Sequence, residues 1–166
     1  MLNTRSIAIP SLLLTIAACG RPPGTLPREN SAAGHRADAA HTYKTVRTAH
    51  LRAAEQLEND VASSCKDDTA MKAGWPAITS STPYEGGIVV YAPADAGTTE
   101  AIDSRIRCRA AVIARDGVDN FPNDPLALDL EVVVHPDANG TAIMLGLADG
   151  TQRSELERRV SAVVAP

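Results

Sequence analysis

The chain has 166 residues, 16 basic and 20 acidic, for a net charge of −4. That length supports one real hydrophobic core, and the acidic balance argues against a nucleic-acid binder. Its only aromatics are Tyr43, Trp75, Tyr84, Tyr91 and Phe121, so stacking platforms for bases or sugars are nearly absent.

The first 18 residues carry a single charge, Arg5. Residues Ile7 to Ala18 then form an apolar run of the length of a signal-peptide h-region. A membrane-spanning helix needs about 20 apolar residues, so this run is too short to be one. It ends Ile16-Ala17-Ala18-Cys19. An aliphatic residue, two small residues and a cysteine resemble the bacterial lipobox. The resemblance implies cleavage before Cys19 and attachment of lipid to its sulfur. Gly20 follows, where the enterobacterial pattern places Asp to retain a lipoprotein in the inner membrane. Gly implies delivery to the outer membrane, with the domain on the periplasmic face.

Residues 19–36 are rich in Pro and Gly and show no apolar period. They read as the lipidated cysteine and a flexible tether, with His35 solvated in it. A single globular domain is expected over 37–166.

Residues 38–62 read as a helix. Tyr43, Val46, Ala53, Leu57 and Val61 recur at three and four, giving one apolar stripe. His50 falls on this stripe and reads as a core-edge histidine. His41 lies on the opposite helix face, so the two do not form a metal pair. Residues 66–86 read as irregular, with Trp75 plugging the core, and Ile88-Val89-Val90-Tyr91 as a first strand. Within 104–114, Ile106, Cys108, Ala110 and Val112 alternate with Arg105, Arg107 and Arg109. Period two predicts a strand with three arginines on its wet face. It would pair with 126–135, setting Arg109 near Glu131 and Cys108 near Val132. A helix here would instead scatter the arginines. Asp137-Ala138-Asn139-Gly140 is a hairpin signal, returning through a strand over 141–148. Asp149 or Thr151 then caps a last helix to about Val164.

The fold class expected is α+β: a four-stranded antiparallel sheet with an N-terminal and a C-terminal helix on one face. Cys65 and Cys108 belong to no C-x-x-C pair. With Cys19 consumed by lipid and an oxidising periplasm, they are expected to be bonded to each other.

Candidate chemistry is sparse. The segment Asp116-Gly117-Val118-Asp119-Asn120-Phe121-Pro122-Asn123-Asp124-Pro125 resembles part of a thrombospondin type 3 calcium repeat. Ala114 and Val112 stand where that family carries two further Asp ligands, so a polar hairpin loop is the reading taken and no metal or cofactor is inferred. Arg105, Arg107 and Arg109 offer a patch for an anionic partner. No catalytic signature is present, and neither an enzyme nor a small-molecule substrate is inferred. The expected function is that of an outer-membrane-anchored periplasmic lipoprotein with a non-catalytic, protein-binding or envelope-assembly role. The alternative is an inhibitor or immunity-type lipoprotein, with loops 93–103 or 115–125 plugging an enzyme.

Overall fold

The computed structural model describes residues 31–65, 74–148 and 150–164. Cys19 and the acidic pair Asp67-Asp68 lie outside them, as does Asp149. Helix α1 (Ala32–His41) and helix α2 (Lys44–Ser64) come first. Strands β1 (Ser80–Tyr84) and β2 (Gly87–Pro93) form a hairpin. Helix α3 (Thr99–Asp116) follows, then the hairpin β3 (Leu130–Asp137) and β4 (Gly140–Leu147), and helix α4 (Arg153–Val163). The strands form one sheet of order β1-β2-β4-β3, every neighbour antiparallel. The class is therefore α+β with a four-stranded antiparallel sheet, as expected, although one strand is not where the sequence reading put it.

The expected strand over 104–114 is the middle of α3. Its helical period is set by Ile102, Ile106 and Ile113, all buried. Thr98 caps the helix, its hydroxyl accepting from the Ala101 N–H at 3.3 Å. Gly117, at φ 93°, ends it by taking a conformation that costs glycine little. The alternation that suggested a strand misleads because Arg109 is drawn inward to a buried carboxylate, so its position does not mark the solvent side. Glu131 consequently faces Gly146 of β4 instead of Arg109, and Val132 faces Leu145 instead of Cys108.

The fourth strand is β1, in the stretch read as irregular. Ser80 to Pro83 are all exposed, so no apolar alternation announces it. Pro83 fits because β1 is an edge strand, where a missing N–H need not break the ladder.

One face of the sheet carries Ile88, Val90, Ile143 and Leu145. These close a core with Ile102, Ile106 and Ile113 of α3 and Leu156 and Val160 of α4. Ile78 joins the same core and bridges in parallel to Val164. Leu130, Val132, Val134 and Leu147 pack at its margin, and so does Trp75. The hairpin expected at 137–140 is present, with Asp137 opposite Gly140. Gly140 is obligatory there: at φ +149°, an added Cβ would stand 2.2 Å from the Ala92 carbonyl oxygen.

The N-terminal region also departs from expectation. Residues 32–36, assigned to the tether, are helical, and the single helix of 38–62 is broken at Thr42 and Tyr43. Ser31 caps α1, accepting from the Gly34 N–H at 3.0 Å. α2 lies along α3, where Val61, Cys65 and Cys108 form a second small core with Ala111 and Val112. Cys65 and Cys108 are bonded, with Cα atoms 4.8 Å apart. The N-terminal helix is thus stapled to the helix that covers the sheet. At the other end, α4 begins at Arg153 after a 3₁₀ turn over Gly150–Gln152, with Gln152 at the N-cap position.

Candidate functional site

Both core-forming helices, α3 and α4, cover the same side of the sheet, so its opposite side is the surface available for recognition. Register places Thr82, Val89, Met144 and Val133 in one row across all four strands. A flanking row runs Ser80, Tyr91, Ala142 and His135, and the other runs Tyr84, Gly87, Gly146 and Glu131. Tyr84 leans over the glycine row, its hydroxyl 3.3 Å from where a Gly146 Cβ would sit. Val133 is exposed, and Val89, Tyr91 and Met144 are half-buried. The result is an apolar centre with tyrosines, Thr82, His135 and Glu131 around it, on a rigid sheet. Such a composition suits a protein partner. Periodicity revealed the buried strand faces, but the open face was not legible while 104–114 stood as a strand.

The arginine patch does not exist as a row. On α3, Arg107 pairs with Asp103 one turn earlier at 2.7 Å. Arg109 pairs with Asp124 and lies 6.0 Å over the Phe121 ring. Arg105 is half-buried. The helix turns Arg107 away from Arg105 and Arg109, which lie one turn apart, and Asp124 takes up Arg109.

Asp124 is the hub that sequence reasoning missed. Its side chain is 3% exposed. Besides Arg109, its carboxylate accepts from Trp75 Nε1 at 3.1 Å and from the Leu126 N–H at 2.9 Å. Its main-chain carbonyl accepts from Arg159 at 2.9 Å. Arg158 holds the same loop through Asn123 at 2.9 Å and the Pro122 carbonyl at 3.2 Å. Segment 115–125 is therefore a cross-tied junction between α3, β3 and α4, not an extended plug. Two of its three carboxylates are also engaged: Asp116 bonds Arg115 at 2.6 and 2.9 Å, and Asp124 bonds Arg109. Among the described residues no group of three His, Cys, Asp or Glu is placed to hold a metal ion.

Glu155 on α4 completes this network. Hydrogen bonds from Arg158 and then Arg159 hold its carboxyl down at about 2, from an ordinary 4.5. A separate open cleft of about 670 Å³ lies where α1, α2 and the end of α3 meet. Arg36, Glu58, Arg115 and Asp116 line it. The Arg36 guanidinium hydrogen-bonds Glu58 and holds its carboxyl below the usual range. Its charges pair with one another, Arg36 with Glu58 and Arg115 with Asp116.

His35 and His50 form an unexpected pair. Their Nδ1 atoms are 3.1 Å apart, so one ring donates and the other accepts. His35 belongs to α1 and not to a solvated tether. The pairing was invisible in sequence because the break at Thr42–Tyr43 folds α1 back onto α2.

No described helix is long and apolar enough to cross a membrane. Comparison with protein-family models, with curated proteins and with solved structures finds no match.

Proposed function

We propose that the chain is a bacterial lipoprotein, anchored by lipid on Cys19 to the periplasmic face of the outer membrane, with a non-catalytic role. In that role the open sheet face binds a protein of the cell envelope. The observation that carries the binding reading is the row Thr82, Val89, Met144 and Val133, lying opposite the helix-covered side of a stapled domain. The Cys65–Cys108 bond supports an oxidising compartment. The cross-tied loop 115–125 weighs against the inhibitor alternative in which that loop is the plug.

A photo-crosslinking residue at Val133, compared with one at Glu157 on the exposed side of α4, tests this in cells. One discrete envelope adduct from position 133 and none from 157 is expected. Equal adducts from both positions, or none from either, would remove the open face as the binding surface.

A further inference from the structure

We infer that the junction of α1 and α2 is a docking surface for an anionic lipid bilayer. Four large apolar side chains are exposed among the described residues, and three of them lie between residues 43 and 51, at the start of α2: Tyr43 at 89%, Val46 at 48% and Leu51 at 47%. Tyr43 is the N-cap residue of α2, Val46 lies on its apolar stripe, and Leu51 lies on a neighbouring side of the helix. Further along, that stripe buries Val61 against the Cys65–Cys108 bond and α3. Its first turns run past the cover that α3 provides and stay open.

Charge selects the occupant. Between Asp38 and Glu55 the sequence has no acidic residue, but it holds Lys44, Arg47 and Arg52, together with His41 and His50. This is a basic stretch in a chain of net charge −4. No described acidic residue forms an ion pair with Lys44, Arg47 or Arg52. An aromatic residue and two aliphatic ones flanked by unpaired cations form the pattern that settles at a headgroup boundary. The apolar side chains enter the acyl margin, and the cations meet lipid phosphates. Tyrosine suits that depth, with an apolar ring and a polar hydroxyl. The inference rests on the anchoring reading and deepens it: a junction docked beside an anchored Cys19 would fix how the domain sits on the bilayer.

Amide exchange on the full chain, with vesicles of phosphatidylcholine alone or containing phosphatidylglycerol, tests the proposal. Slowed exchange confined to 42–52 and dependent on phosphatidylglycerol is expected. Lys44→Glu with Arg47→Glu should raise the lipid concentration needed for that protection at least about thirtyfold, and Tyr43→Ser with Val46→Ser should separately raise it as well. Unchanged protection in β4 shows that these variants remain folded. If 42–52 exchange equally fast with and without anionic vesicles, the proposal fails, even when the protein floats with the vesicles through its lipid. Protection of 42–52 by anionic vesicles in a Cys19→Ser chain supports docking independently of the anchor. Protection by polyglutamate but not by phosphatidylglycerol overturns the lipid assignment in favour of an acidic protein.

Discussion

Arg109 and Asp124, fifteen residues apart, meet as an ion pair at the junction of α3 with the loop that leads to β3. The carboxylate is nearly buried and simultaneously serves Trp75 and the Leu126 amide. Asp124→Ala would leave a half-buried guanidinium, an indole N–H and a backbone N–H without their acceptor. Breaking a buried pair from one side costs about 3–5 kcal/mol. Urea unfolding should show a loss of that order, and Asp124→Asn, which keeps one acceptor oxygen, should lose less. A change within experimental error for Asp124→Ala would mean that the loop is held elsewhere.

The bond between Cys65 and Cys108 ties α2 to α3 across a sequence separation of 43. In the chain-entropy description a closure of that length stabilises by about 4 kcal/mol. Replacing both cysteines with Ala should lower the thermal midpoint and free α1 and α2 for proteolysis before the sheet. Simultaneous loss of all protected amides would contradict the separate docking of the helical pair.

Glu155 provides a pH signature. Its folded-state value of about 2 lies below the ordinary 4.5, chiefly through Arg158 and secondarily through Arg159. A depressed carboxyl favours the folded state above its unfolded value, and that contribution disappears as pH falls through the folded one. Stability should therefore decline between about pH 4.5 and 2, and Glu155→Gln should flatten that part of the curve. An unchanged acid limb in the variant would place the acid sensitivity in other carboxylates.

Gly140→Ala tests the β3–β4 turn. The added methyl carbon would meet the Ala92 carbonyl oxygen at 2.2 Å and the Pro93 carbonyl carbon at 2.8 Å. Backbone cannot yield there without parting β2 from β4, so a loss of at least about 1–3 kcal/mol is expected by chemical denaturation. A neutral substitution would show that the turn is looser than the register implies.

These residues also explain what the sequence disclosed. The turn at 137–140 was legible because its chemistry is local. Cys65 and Cys108 were legible as a pair because the resemblance of residues 16–19 to a lipobox set the third cysteine, Cys19, aside. Strands β2 and β4 announced themselves through buried aliphatics such as Ile88, Val90, Ile143 and Leu145. Helix α3 was hidden because its decisive signals, the Thr98 cap and Ile102, precede the window in which arginines alternate. Its inward Arg109 also depends on Asp124, a distant partner. β1 was hidden because an exposed edge strand of Ser, Thr and Pro has no hydrophobic period to show. α1 was hidden because its short apolar face of Ala32 and Ala39 looks like part of a linker. The open sheet face could not be found before β1 and α3 were correctly placed.

The proposed lipid anchor on Cys19 is tested most directly by labelling cells with radioactive palmitate and separating their membranes. The intact chain should incorporate label and sediment with the outer membrane. Cys19→Ser should lose the label while Cys65 and Cys108 remain bonded. A Cys19→Ser chain that still takes up palmitate, or an intact chain that takes up none, would contradict the anchor and the envelope role built on it.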